Sequence, residues 1–503
     1  MAFHGANLLG VTNLWIGVGA KVLAATATNA STTKLQVSLP ATAPVGIHAA
    51  RVASANGISS PVLLMVDDLP SVADAGTNTS ITNAQRLAWP VAVDGAAVAL
   101  GYKFYRVTAK QGDRLALEVF AQRLGSKLDP VLRLLDLRGR ELAFCDDESG
   151  LNGDCRIAHT FGTSGDYLIE VRDINYGGGS DHRFRLRIGG FPLISLPFPA
   201  AVRAGQSATF SFVGPQVDQL KPLTVTAPAD ARHLPLAVKY PGGKTAAFTA
   251  ALVTDTTEVA ETEPNDTADT ATSFTPPAGL NGRFLKPKER DFWKFEAKKG
   301  QRVLFTAQTR SVGSATEVML QLRDAKGTAI ASSAVNDAGE GSVTNTISAD
   351  GTYYLVVDEL IRRGGPQHAY RIEAELLTPG FALEAETDKV EAAPGSSFTV
   401  KVSATRRDFA GPITLTLVGL DGAVLADDVI KENAANTTLK VTLPANASPG
   451  SIKPFRIVGK AKFGDRDVQA ITHTMPALRK LFPNLTAPPR ELDGLIALGV
   501  KAK

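Results

Sequence analysis

Apolar and polar residues alternate along most of this chain in runs of five to eight. That is the period of a strand with one face buried and the other wet. YRVTA (from Tyr105), RLALEVFA (from Arg114), VLRLLD (from Val131), YLIEVRD (from Tyr167) and FRLRI (from Phe184) are examples. Turns such as KQGD, LRGR and TSGD separate them. No long stretch repeats apolar residues at i, i+3, i+4 and i+7, so helices are scarce in this reading. The pattern predicts an all-β chain of antiparallel sandwiches.

The runs recur. FYRVTAKQGDRLALEVFAQRLGS (from Phe104) aligns with FWKFEAKKGQRVLFTAQTRSVGS (from Phe292) at an offset of 188. Further on the offset becomes 186: Gly165-Asp166-Tyr167 meets Gly351-Thr352-Tyr353, and GGSDHRFR (from Gly178) meets GGPQHAYR (from Gly364). The two-residue difference falls between Gly139 and Gly165. A weaker repeat lies outside these copies, where TTKLQVSLPATAPVG (from Thr32) resembles NTTLKVTLPANASPG (from Asn436). Strand-like runs such as TFSFV and PLTVTA fill the region between the copies. The expected order is an immunoglobulin-like unit (1–69), a first sandwich (70–190), a small immunoglobulin-like unit (191–257), a second sandwich (258–376), a third immunoglobulin-like unit (377–475) and a Pro-containing tail (476–503).

At 503 residues the chain exceeds what one core supports, and roughly three to five domains are expected. The net charge is only +3, with 53 bases against 50 acids and no Lys/Arg block, so a nucleic-acid partner is not expected. The first 25 residues lack a basic lead before their apolar part, and Thr12, Asn13 and Lys21 interrupt them. They make a poor signal peptide and no transmembrane helix.

Residues 254–270, TDTTEVAETEPNDTADT, hold six acids and no base. Read alone, the stretch is a solvated linker with turn chemistry at Pro264-Asn265-Asp266. Its sequel changes the reading. ETEPNDTADTATSF, LNGRF, RDFWKFEAKKGQRV, ADGTYYLVV and AYRIE together resemble the bacterial pre-peptidase C-terminal domain over residues 261–376. Residues 83–190 resemble the same family, with NAQRLAWPVAVDG in place of the E-P-N-D opening and GSKLDPVLRLLDLRGRELAFCDDE matching its central segment. The resemblance implies noncatalytic jelly-roll sandwiches of the kind found beside secreted peptidases. It also implies calcium bound by acidic residues near the domain start. In the second copy these would be Glu263, Asn265, Asp266 and Asp291.

Catalytic signatures are missing. The seven histidines include no H-E-x-x-H pair, and no G-x-S-x-G elbow exists. The DAGT at Asp74 is a chance-level match to aspartic proteases. His182 and His368 take matching hairpin positions, and Trp293 alternates with other aromatics in a strand, which reads as packing rather than sugar stacking. A hydrolase with an unrecognised site has no residue to support it.

The loop FCDDESGLNGDC holds both cysteines of the chain. Asp146 and Asp147 are adjacent on an extended chain and point apart, which disfavours paired catalysis. Asp146, Asp147, Asn152 and Asp154 offer hard oxygens for calcium, without EF-hand spacing. The favoured reading is a disulfide between Cys145 and Cys155, contributing roughly 2–3 kcal/mol. A disulfide implies an oxidising compartment, either extracellular or periplasmic, and the start of the chain is then expected to be incomplete. The functional expectation is a noncatalytic exported protein that binds or spaces at the cell envelope or beyond it. A polysaccharide, a protein polymer or an envelope component would be its partner. The alternative is an accessory region of a secreted peptidase whose catalytic domain lies elsewhere.

Overall fold

The computed structural model describes residues 1–229, 231–240, 247–333, 340–485 and 488–503. It is built almost wholly of strands, and among the described residues Met475–Leu481 is the one α-helix. The chain forms two compact units, residues 67–377 and residues 1–66 together with 378–503.

The unit spanning 67–377 contains two sandwiches of two five-stranded sheets each. In the first, one sheet runs Arg156–Thr160, Arg114–Phe120, Arg183–Gly189, Val91–Ala96, Ser71–Ala73. The other runs Glu141–Cys145, Pro130–Asp136, Gly165–Asp173, Lys103–Ala109, Gln85–Arg86. The second sandwich repeats this order. One sheet runs Ser342–Thr346, Arg302–Gln308, Ala369–Leu376, Ala278–Arg283, Thr257–Ala260. Its partner runs Ala329–Ser332, Val318–Asp324, Gly351–Glu359, Arg290–Ala297, Thr272–Ser273. Alternation dictates the cores: Trp293, Phe295 and Ala297 face inward with Phe305, Tyr353 and Tyr370.

Each sandwich opens on a lead-in segment that touches both sheets. In the second, Thr257–Ala260 pairs parallel with Ala278–Arg283, and Thr272–Ser273 pairs parallel with Arg290–Ala297. The acidic stretch expected to be a linker is therefore partly strand, because its backbone donors and acceptors complete the edges of two sheets. Between the sandwiches, two three-stranded sheets close over Phe210, Leu236 and Val253.

In the other unit, residues 1–66 pack with the C-terminal segment. Arg51 pairs with Asp388 at 2.6 Å, and Ala49 packs against Leu478, Phe482 and Leu492. The segment expected to be a tail holds the helix Met475–Leu481 and the buried strand Ile496–Val500. That strand pairs with both Lys389–Ala392 and Ile452–Phe463. Its five consecutive buried residues give no alternation to read, and Pro476 lies in the first turn of the helix, where a missing N–H costs nothing.

Candidate metal centre

Where the lead-in segment of the second sandwich leaves Thr257–Ala260, the chain continues as Glu261-Thr262-Glu263-Pro264-Asn265. The Glu261 N–H donates to the Asn281 carbonyl at 2.9 Å, and the Asn265 carbonyl accepts the Phe292 N–H at 2.8 Å. These two bonds hang the segment across the end of the sandwich, from one sheet to the other. Asp291 meets it from the strand Arg290–Ala297. Asp291 lies two positions before Trp293 and so points to the core side, where it is fully buried.

The carboxylates of Glu261, Glu263 and Asp291 converge, with one oxygen of each within 4.8 Å of the others. Oxygens facing one another across a calcium ion stand roughly 4.6–5.2 Å apart, given Ca–O distances of ~2.3–2.6 Å. Asn265 joins them: it is fully buried, and its Nδ2 donates to Glu261 at 3.5 Å. Two oxygens at this cluster, Asn265 Oδ1 and Asp291 Oδ1, are buried and have no hydrogen-bond partner. Unsatisfied buried acceptors are costly and rare in folded proteins.

The other contacts fix orientation. Tyr370 donates its hydroxyl to Asp291 Oδ2 at 2.5 Å and accepts the indole N–H of Trp293 at 3.0 Å. Glu261 Oε1 accepts the Arg283 N–H at 2.8 Å, and Glu263 Oε2 accepts the Asn265 N–H at 3.1 Å. Gly282 leaves the room: a Cβ there would collide with the Tyr370 hydroxyl and sit 2.7 Å from Glu261 Oε2. Burial, and then the charge of Glu263, pushes the Glu261 carboxyl up to about 8. Burial, and then the charge of Glu261, pushes Asp291 up to about 9. Burial and mutual repulsion outweigh the charge of Arg283 near Glu261.

The donor set is all hard oxygen, three carboxylates and one amide, which suits calcium and excludes the soft-ligand metals. Glu261, Glu263, Asn265 and Asp291 fit a divalent cation, and Tyr370 would hold the Asp291 ligand in place. A calcium ion there would supply positive charge that ties the lead-in segment to the strand Arg290–Ala297.

Of the expected ligands, Glu263, Asn265 and Asp291 come together. Asp266 is exposed and stands outside the cluster. Glu261 was not among the expected ligands, although it lies two residues before Glu263 in the same acidic motif. Tyr370 and Gly282 were also missed, since their roles depend on pairing across the sheet.

The expected disulfide is not formed in the cysteine loop. Cys145 and Cys155 are free thiols. Cys155 is fully buried, and its Sγ donates toward the Pro130 carbonyl at 2.7 Å, with the Cys145 carbonyl at 3.3 Å. The thiols are neighbours nonetheless: Cys155 is the largest influence on the Cys145 thiol and lowers its pKa. Asp154 is fully buried and already committed. It accepts the backbone N–H groups of Ala121 (3.0 Å) and Gln122 (2.7 Å) and pairs with Arg123 Nε at 2.7 Å. Asp146 is half-buried and Asp147 exposed, and among the described residues neither joins a three-ligand group. Among the described residues the loop therefore gathers no group of three carboxylates for the expected calcium.

The strands that carry Asp291 and its surroundings also carry a recognisable pattern. Residues 289–359 match the bacterial pre-peptidase C-terminal domain. The matched segment contains Asp291 and Trp293 and runs through the strand Gly351–Glu359. No curated protein matches the chain. Among solved structures, it is similar to a DUF4785 family protein from Legionella pneumophila at 17% identity, covering 38% of this chain and 59% of that one, with a TM-score of 0.15. It is also similar to Dpr2 Ig1-Ig2 in complex with DIP-Theta Ig1-Ig3 at 10% identity, covering 74% of this chain and 98% of that one, with a TM-score of 0.13. Superpositions at that level establish no shared function. Among the described residues no helix is long and apolar enough to cross a membrane.

Proposed function

We propose that this chain is a noncatalytic exported protein that binds or spaces at the cell envelope or outside the cell, and that its second sandwich uses calcium as a structural ligand. The observation that carries the calcium reading is the meeting of Glu261, Glu263 and Asp291 around two unpartnered buried oxygens, Asn265 Oδ1 and Asp291 Oδ1. The carboxylates of Glu261, Glu263 and Asp291 converge on one another, and two of the three stand on the lead-in segment itself. Their chemistry is that of holding two parts of the backbone together.

The pre-peptidase C-terminal match supports export and keeps a second reading open, in which the chain is an accessory region of a secreted peptidase. Two related sandwiches in one chain offer repeated surfaces, on which weak affinities for a polysaccharide, protein polymer or envelope component combine. In an oxidising compartment the neighbouring Cys145 and Cys155 thiols would close into a disulfide.

Calorimetric titration of the purified chain with calcium, beside cosedimentation with insoluble polysaccharide, collagen and envelope fractions, tests the reading. Calcium binding, polymer cosedimentation and no turnover of casein, gelatin or polysaccharide are expected. Turnover abolished by a single substitution would overturn the noncatalytic reading.

A further inference from the structure

The first sandwich contains the same lead-in segment with a different solution to the same electrostatic problem. The Asp74 N–H donates to the Asp94 carbonyl at 3.0 Å, as Glu261 does to Asn281. The Phe104 N–H donates to the Asn78 carbonyl at 2.8 Å, as Phe292 does to Asn265. The Leu87 N–H donates to Arg106, as Phe274 does to Lys294, each at 2.9 Å. A 3-10 turn follows in both, at Ile81–Asn83 and Ala268–Thr270. Asp74, Gly76 and Asn78 therefore stand where the second sandwich has Glu261, Glu263 and Asn265.

The position of Asp291 is taken by a lysine. Lys103 pairs in register with Val171, as Asp291 does with Val357. Its side chain is only 3% exposed. Its ammonium lies 2.5 Å from Asp74 Oδ2, 3.4 Å from the Gly76 carbonyl and 3.4 Å from Asn78 Oδ1. An ammonium has three donors, and all three partners come from the lead-in segment. Tyr105, in the register position of Trp293, donates to the other Asp74 oxygen at 2.9 Å. The asparagine oxygen that lacks a partner in the second sandwich thus has one in the first, and that partner is a cation.

We propose that the Lys103 ammonium is a built-in counterpart of the divalent cation, so that the first sandwich is locked permanently while the second is locked only when calcium is bound. The inference rests on the calcium reading of the Glu261, Glu263, Asn265 and Asp291 cluster and assigns its regulation. One lead-in segment is constitutive and the other conditional on the cation. The two differ chiefly in which charge the strand presents at one inward position, together with the loss of the acid at Gly76.

Two substitutions in the full chain test this. Asp291→Lys should place an ammonium among Glu261, Glu263 and Asn265. It should raise the melting temperature in EGTA toward that of the calcium-loaded wild type and abolish calcium binding at this centre. A variant that still binds calcium as the wild type does, or that melts lower than wild type in EGTA, would overturn the proposal. Lys103→Asp, made in the other sandwich, guards against a misfolded first variant. It should add a calcium-binding event in calorimetry, and an unchanged stoichiometry would count against the equivalence. The wild-type titration separates the two levels. If the wild type binds no calcium, the metal reading fails and takes this inference with it. If the wild type binds calcium and both variants fail, only the lysine equivalence is lost.

Discussion

Tyr370 and Asp291 meet at 2.5 Å in the buried end of the second sandwich, with the Trp293 indole donating to the same hydroxyl at 3.0 Å. The chain of donors runs from the core to Asp291 Oδ2 and leaves Asp291 Oδ1 without a partner. Tyr370→Phe should cost about 1–3 kcal/mol in urea unfolding, because a buried carboxyl and a buried indole N–H both lose their partner. Calcium affinity should fall by about 10–100-fold, the usual effect of removing a group that orients a ligand. Unchanged affinity would show that Tyr370 serves packing alone.

Gly282→Ala tests the room kept for the cluster. The added methyl would press on the Tyr370 hydroxyl and Glu261. We expect a loss of about 1–3 kcal/mol from overpacking, together with weakened calcium binding. A variant with wild-type calcium affinity would contradict the placement of Glu261 as a ligand.

Asp154 and Asp147 lie seven residues apart in one acidic loop and should behave oppositely. Asp154→Ala removes the acceptor for two backbone N–H groups and a buried partner of Arg123, at a cost of about 3–5 kcal/mol. Asp147→Asn should change stability by less than about 0.5 kcal/mol. Neither should alter the calcium response, which thermal melts with and without EGTA would check.

The thiols of Cys145 and Cys155 should disappear together on mild oxidation, without dimer formation. Thiol counting in denaturant before and after diamide treatment reads this directly. Closure should add roughly 2–3 kcal/mol by the loop-entropy argument. Two titratable thiols persisting after oxidation would remove the disulfide from the account.

Acid stability in the unit containing the chain ends should depend on Asp493. Burial opposes ionisation of this carboxyl, but the hydrogen bond and charge of His473 and the Thr474 and Gly494 N–H groups outweigh it and hold the pKa below its ordinary 3.8. A depressed carboxyl stabilises the fold above its unfolded pKa, and the benefit is lost as pH falls through the folded value. The loss therefore falls below about pH 4. Asp493→Asn should flatten the pH dependence of unfolding in that window, and an unchanged acid limb would contradict the assignment.

The residues that alternate were the legible ones. Asp291, Trp293 and Phe295 read as one inward face, and Glu263 and Asn265 stand out as polar turn residues before a strand. Lys103 was not legible as their counterpart. Its lead-in, DAGTN, aligns with ETEPN at an offset of 187, whereas the strands align at 188, so the two cannot be matched in one frame. The fate of Asp154 was equally hidden, because the N–H groups that claim it belong to residues some thirty positions earlier. The C-terminal strand was missed for a related reason: IALGV is buried on both faces and shows no period.

Cation binding among Glu261, Glu263, Asn265 and Asp291 is measured most directly by a thermal melt of the metal-stripped full chain against increasing calcium. Ligand binding to the folded state alone contributes about 2.7 kcal/mol at a hundredfold excess over Kd. The melting temperature should therefore rise by several degrees, saturably, and the rise should vanish in a Glu261→Gln/Asp291→Asn double variant that still folds. A wild-type melt that does not move between EGTA and millimolar calcium would contradict the account.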